Sequence, residues 1–224
     1  MWSGSVQGQV NLVKQIVFLA MVGELAWSNV LLVLSIARPD RRHWPPPDSP
    51  SRDHRMTRIG QAIGPLTVPG LLALGIADSN SSPIGDRAST ALGAILFLLG
   101  GGFALWGYLT LGVRASQGQY EGLVATGAYR HSRHPQYVGS IACFLGYAMV
   151  CKSRLTLVVW ALWSAWFLLA PFAEEPWLRD RLGSAYDEYA ANVPRFLGWP
   201  SCGKAVELRA PGLERNPSSP ARLE

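Results

Sequence analysis

Five apolar runs divide the chain. Val10–Ile36, Ile59–Ala77 and Ser89–Leu111 each approach or exceed the roughly 20 mostly apolar residues that a helix needs to cross a bilayer core. Tyr137–Val150 and Leu155–Ala170 are shorter and are parted only by Cys151-Lys152-Ser153-Arg154. Extending the first back to Pro135 and the second on to Ala173 brings both near a full crossing. The pattern therefore predicts an all-α membrane protein of about five transmembrane helices, the last two a tight antiparallel hairpin. Lys14 stands near one end of the first run, with Glu24 and Asn29 inside it. In the second, Gly64-Pro65 marks a kink, and Gly60 and Gly64 have the spacing of close helix packing. Gly100-Gly101-Gly102 in the third is read as permitting tight packing rather than forming a site. After Pro176 the pattern changes. Leu178, Leu182, Ala185, Tyr186, Tyr189 and Val193 recur at helical spacing, with Arg179, Asp180, Arg181, Asp187 and Glu188 on the other faces. This predicts an amphipathic C-terminal helix on the membrane surface or over the hairpin mouth, ended at Val193-Pro194, with Tyr186 and Tyr189 as packing residues.

Composition sharpens this picture. The 224 residues are 49% hydrophobic and only 16% charged, against about 25% charged in soluble domains. That excludes an ordinary soluble core and a disordered chain, and three cysteines without a C-x-x-C pair exclude a disulfide-stapled domain. The formal charge of +5 does not point to nucleic acid, because the basic residues fall between the apolar runs. The 37–58 loop holds Arg38, Arg41, Arg42, Arg52, Arg55 and Arg58, whereas 78–88 has only Arg87. The 112–134 segment adds Arg114, Arg130 and Arg133. Positive residues favour the cytoplasm, which predicts an N-terminus outside and a C-terminus in the cytoplasm. The first run lacks a basic flank before it and is too long for a cleaved signal, so it is expected to stay as a span. Residues 1–88 are expected to form an N-terminal region of two helices with a basic cytoplasmic loop. Residues 89–199 form the core and 200–224, rich in Pro, Ser and Arg, a disordered tail.

The chemistry gathers at the two ends of the hairpin. Before it stands Gly127-Ala128-Tyr129-Arg130-His131-Ser132-Arg133-His134-Pro135-Gln136-Tyr137-Val138-Gly139, and after it Glu174-Glu175-Pro176-Trp177. Pro135 suits a first helical position. The free amides of the turn that follows, beside Arg130, Arg133 and His134, would bind a carboxylate or phosphate. Two crossings return Glu174 and Glu175 to the same face. Acids at a membrane edge are costly unless solvated or paired, which makes them functional candidates; the plain alternative is an ion-pair clamp with Arg130 or Arg133. His131 and His134 have no further ligand at metal spacing, so no metal is expected.

These residues resemble the isoprenylcysteine carboxyl methyltransferase family, membrane enzymes related to phospholipid N-methyltransferases. The likeness rests on Arg133-His134-Pro135-x-Tyr137-x-Gly139, preceded by Leu123-Val124-x-Thr126-Gly127-x-Tyr129-Arg130. It continues in Glu174-Glu175 and in the ending Tyr186-x-x-Tyr189-x-x-x-Val193-Pro194-Arg195-Phe196. It covers roughly residues 105–199; Ala128 stands where the family usually has Pro, and Leu182 where it often has Phe. The resemblance implies an S-adenosylmethionine cofactor at the cytoplasmic face and a lipid-borne or apolar methyl acceptor. Its implied cofactor contacts are His134, Pro135, Tyr137, Gly139, Glu174, Glu175 and Trp177. His134 and the helix-start amides would take the cofactor carboxylate, Tyr137 and Trp177 would lie by the adenine or sulfonium, and Gly139 would admit the cofactor to the backbone. Arg130, Arg133 and Glu174 are the residues expected to act on the reaction, the arginines by holding a carboxylate substrate. An isoprenylcysteine-like carboxylate is the acceptor expected first. A phospholipid or amine acceptor, which would need a base such as His131 or one of the acids, stays open beside it. So do an NADPH-dependent sterol-type reductase, from the partial likeness of His134-Pro135-Gln136-Tyr137-Val138-Gly139-Ser140, and a non-catalytic membrane scaffold.

Overall fold

The computed structural model describes residues 2–45, 55–82, 86–112 and 122–198, and their side chains apart from those of 2–7, 41 and 55–65. The expectations for Arg52, Arg114 and the 200–224 tail lie outside these residues, as does the side-chain packing expected around Gly60 and Gly64. Among the described residues there are six α-helices and no strand: α1 (Trp2–Ala37), α2 (Arg55–Ala77), α3 (Arg87–Leu111), α4 (Pro135–Cys151), α5 (Arg154–Leu182) and α6 (Ser184–Asn192). Three stretches are long and apolar enough to cross a membrane, Gly8–Ala37, Arg87–Leu111 and Arg154–Leu182, while Leu66–Ala77 and Pro135–Cys151 are shorter apolar helical stretches. All five predicted runs are thus helical.

Local chemistry sets the helix ends. Asp86 caps α3 by accepting from the Ser89 amide at 2.8 Å. Ser153 does the same for α5 through the Thr156 amide at 3.1 Å. Lys152, with φ 53, makes the left-handed corner between α4 and α5. One boundary differs from the prediction. α5 runs unbroken through Pro171 and Pro176 to Leu182, so the segment after Pro176 does not start a new helix. A proline inside a packed membrane helix is tolerated where neighbours re-satisfy the freed carbonyl. The break comes instead at Gly183, whose φ of 58 suits a residue without Cβ. Tyr186 and Tyr189 of α6 are buried with Trp177, Leu178, Leu123 and Val193, so the apolar stripe faces protein.

Helix separation is decided by side-chain size. α3 and α4 meet along glycines seven residues apart on both, Gly93, Gly100 and Gly107 against Gly139 and Gly146. A Cβ at Gly146 would stand 2.3 Å from the Phe97 amide nitrogen, and one at Gly139 2.4 Å from that of Ala104. Of the three consecutive glycines only Gly100 is closed in against backbone; Gly102 faces open space. α4 and α5 are held apart by rings: Phe144 stacks on Trp163 at 4.5 Å, Trp163 on Phe167 at 5.6 Å, and Tyr137 lies against Phe167 at 5.2 Å. The hairpin is therefore aromatic-filled, and the tightest pairing of α4 is with α3.

At the turn end of the hairpin, Asp78 binds three segments. It accepts from Ser81 at 2.6 Å, from Ser153 at 2.8 Å and from the Leu155 amide at 3.1 Å, and pairs with Lys14 at 3.1 Å. Burial opposes ionisation of Asp78, but these donors outweigh it and hold the carboxyl below its ordinary value. Lys14 is thus the partner of a buried acid, and α1, the end of α2 and the α4–α5 corner are tied together there. From Arg154 to Glu174 α5 rises about 30 Å at 1.5 Å per residue, which puts the acidic pair at the far end of the bundle.

Candidate active site

The stretch before α4 is stitched to the stretch after α6. Arg133 donates its amide to the Pro194 carbonyl at 2.9 Å, and Ser132, fully buried, donates to the Arg195 carbonyl at 3.3 Å while accepting from the His134 amide at 3.0 Å. Both segments then aim their side chains at the end of α5. Glu175, 1% exposed, receives a forked pair of hydrogen bonds from Arg195, Nε to Oε1 and Nη2 to Oε2, each 2.8 Å. Arg133 Nη1 lies 3.0 Å from Oε2. Glu174, 3% exposed, takes its close hydrogen bonds from neutral donors: the Tyr137 hydroxyl and the Trp44 indole N–H, the latter at 2.5 Å, both on Oε1.

His134 stands between the two acids. Its Nδ1 is 3.4 Å from Glu174 Oε2 and its Nε2 is 3.4 Å from Glu175 Oε1, and its ring stacks on Tyr137. Burial by itself favours the neutral ring, but the two carboxylates outweigh it and hold His134 above the ordinary histidine value. The folded state therefore prefers the imidazolium. That contribution to stability is complete below the unfolded value of about 6.5 and fades as pH rises through the folded value. Thermal melting of the detergent-solubilised protein should accordingly fall as pH rises above about 6.5, and His134→Gln should flatten that slope. A slope unchanged in the variant would refute the imidazolium.

The sequence-predicted residues divide. Arg133, His134, Tyr137, Glu174 and Glu175 come together. Trp177 is buried beside them, with the guanidinium carbons of Arg42 and Arg181 each 5.3 Å from its ring, so cationic side chains already meet its π-system. Arg130 is exposed outside the cluster, as is His131; the ion pairs run to Arg133 and Arg195 instead. Pro135 is buried against Gly107. Gly139 faces α3, so the close approach it permits is that of the Gly100 and Ala104 backbone. The first-turn amides are also less available than expected, because those of Tyr137 and Val138 both donate to the His134 carbonyl. And the acids are buried within α5, not poised at a solvated edge.

Two contributors were not singled out from the sequence. Arg195 sits in the Val193-Pro194-Arg195-Phe196 ending, and that position was its signal. Trp44 lies in a proline-rich connector with no helical period, and nothing in the pattern marks it. Ser35 accepts from the His43 and Trp44 amides at 2.9 and 3.1 Å, which folds this connector back over the end of α5. Among the described residues no group of His, Cys, Asp or Glu is arranged to hold a metal ion.

The donor set suits an amino-acid-bearing cofactor: both signs of charge occur in one buried cluster, and Arg133 Nε is buried with no hydrogen-bond partner. Searches of curated proteins and of solved structures found no match. Residues 88–185, which take in α3, α4, α5 and the start of α6, match the phospholipid methyltransferase family, and this matched stretch carries Arg133, His134, Tyr137 and the acidic pair.

Proposed function

We propose that the protein is an integral membrane S-adenosylmethionine-dependent methyltransferase acting on a lipophilic acceptor, with an isoprenylcysteine-like carboxylate the first choice. The observation that carries this reading is the buried convergence of His134, Arg133 and Glu174 within the matched region. When bound, S-adenosylmethionine supplies an electrophilic methyl group on a sulfonium. Glu174 would hold the cofactor's ammonium or ribose hydroxyls, and Arg133 and His134 its carboxylate. Tyr137 fixes Glu174 and His134 at once, by its hydroxyl and its ring face. The protein's main contribution to an in-line methyl transfer is orientation. A carboxylate acceptor needs no base, whereas an amine acceptor does, and Glu175 is already taken by two guanidiniums. The active site is proposed to lie at the cytoplasmic face, with the N-terminus outside, and residues 1–88 and 89–199 are proposed as the two regions of the chain.

Incubating the purified protein with labelled S-adenosylmethionine and a membrane extract should label a lipid-soluble product. Calorimetric titration should show S-adenosylmethionine binding that Glu174→Gln weakens on the order of a hundredfold, the loss of a charged hydrogen-bond partner, with a smaller loss of melting temperature than Glu175→Gln brings. Binding of NADPH, with none of S-adenosylmethionine, would overturn the proposal.

A further inference from the structure

The matched region leaves out two side chains of the acidic cluster, Arg195 beyond its end and Trp44 before its start. Trp44 belongs to the connector after α1, outside residues 88–185, yet its indole N–H donates to Glu174 Oε1 at 2.5 Å. Further contacts fix that connector. The His43 and Trp44 amides bind Ser35, Arg42 Nε donates to the Pro45 carbonyl at 2.8 Å while its guanidinium meets the Trp177 ring, and the Trp44 ring lies edge-on to Trp166 at 5.3 Å. α1 itself packs on α5, with Leu32 and Ile36 beside Ala170 and Ala173. The indole is therefore held from both of its sides.

We infer that Trp44 is a positioning residue for Glu174, so that the first helix and its connector complete a site most of whose other members lie within residues 88–185. The argument is one of lone pairs. Trp44 and Tyr137 both bind Oε1, which leaves Oε2 as the oxygen turned towards His134 and towards a ligand. Without the indole one of the two hydrogen bonds on Oε1 is lost, and the Tyr137 hydroxyl alone opposes rotation about the last torsion, a broad terminal one. A fixed carboxylate binds an ammonium or a ribose diol at lower entropic cost than a rotating one. This inference rests on the proposed cofactor.

The test uses the full chain in detergent with S-adenosylmethionine as probe, and Trp44→Phe, which keeps a ring against Trp166 but removes the N–H. The variant is expected to bind on the order of ten- to a hundredfold more weakly. Glu174→Gln should then add little in its background, because the two changes disable one unit. Indole nitrogen–proton spectra give a signature that packing alone would not produce: a downfield resonance lost in Trp44→Phe and moved in Glu174→Gln. Trp27→Phe, on an exposed position of α1, should leave binding and that resonance unchanged. Wild-type affinity in Trp44→Phe, or additive losses in the double variant, would overturn the assignment while leaving the cofactor reading intact. No binding by the wild-type protein would instead remove the cofactor reading, and the role of Trp44 with it.

Discussion

Glu175→Gln should destabilise the fold far more than it alters any contact with solvent. The substitution keeps the shape of a side chain that is 1% exposed but removes the charge faced by Arg195, Arg133 and His134. Leaving buried cations without their counter-ion costs roughly 3–5 kcal/mol where one partner of a buried pair is lost. Arg195 is partly exposed, which places the expected loss towards the lower end. For a chain of this size that corresponds to a melting point about 10 °C lower, read by circular dichroism of the solubilised protein. Adding Arg195→Met should recover part of it, since one unpaired cation is then gone. A melting point within about 2 °C of wild type would mean that the three cations do not depend on Glu175. Glu174→Gln provides the contrast, because its partners are mainly neutral donors that also satisfy an amide. One acid of the pair holds the ends of the bundle together, and the adjacent one is available to a ligand.

The second large effect concerns α3 and α4. Gly146→Leu places a Cβ 2.3 Å from the Phe97 amide nitrogen and 2.4 Å from the Gly93 carbonyl oxygen. Both are backbone atoms, so no side chain can swing away and the two helices must separate. Overpacking a close-fitted core typically costs about 1–3 kcal/mol, and separating two helices along their whole seam should exceed that. The expected outcome is loss of folded protein after solubilisation, seen as aggregation in size-exclusion chromatography. Gly102→Leu is the matched control: a Cβ there meets nothing within 4 Å, and leucine favours helix over glycine by about 1 kcal/mol. That variant should be as stable as wild type or more so. If both variants behaved alike, the glycine seam would not be what holds α3 to α4.

How much of this was legible in the chain depends on the range of the physics involved. The apolar runs are local and periodic, and all five emerged as helices with ends within a few residues of those predicted, apart from the start of α1 at Trp2 and the end of α5 at Leu182. The second exception is instructive. Pro176 reads as a helix breaker because, locally, it removes a hydrogen bond and crowds the preceding turn, but α5 is buried among neighbours that sustain it, and the break falls at Gly183. The convergence of Arg133 and His134 with Glu174 and Glu175 was readable because two helices of nearly equal rise must bring their outer ends together. Gly139 was read with the wrong neighbour: a glycine announces that something comes close, not what, and here it is the backbone of α3.

The pattern of the sequence by itself determined that this is a helical membrane protein with its charged chemistry gathered at the outer ends of a helix pair, because bilayer thickness and hairpin connectivity leave few other arrangements. Only the tertiary structure separated the two acids into one bound by guanidiniums and one held by neutral donors. Both are glutamates, adjacent and equally buried, and the difference lies in partners 20 and 130 residues away in the chain, a distance at which no local period carries information.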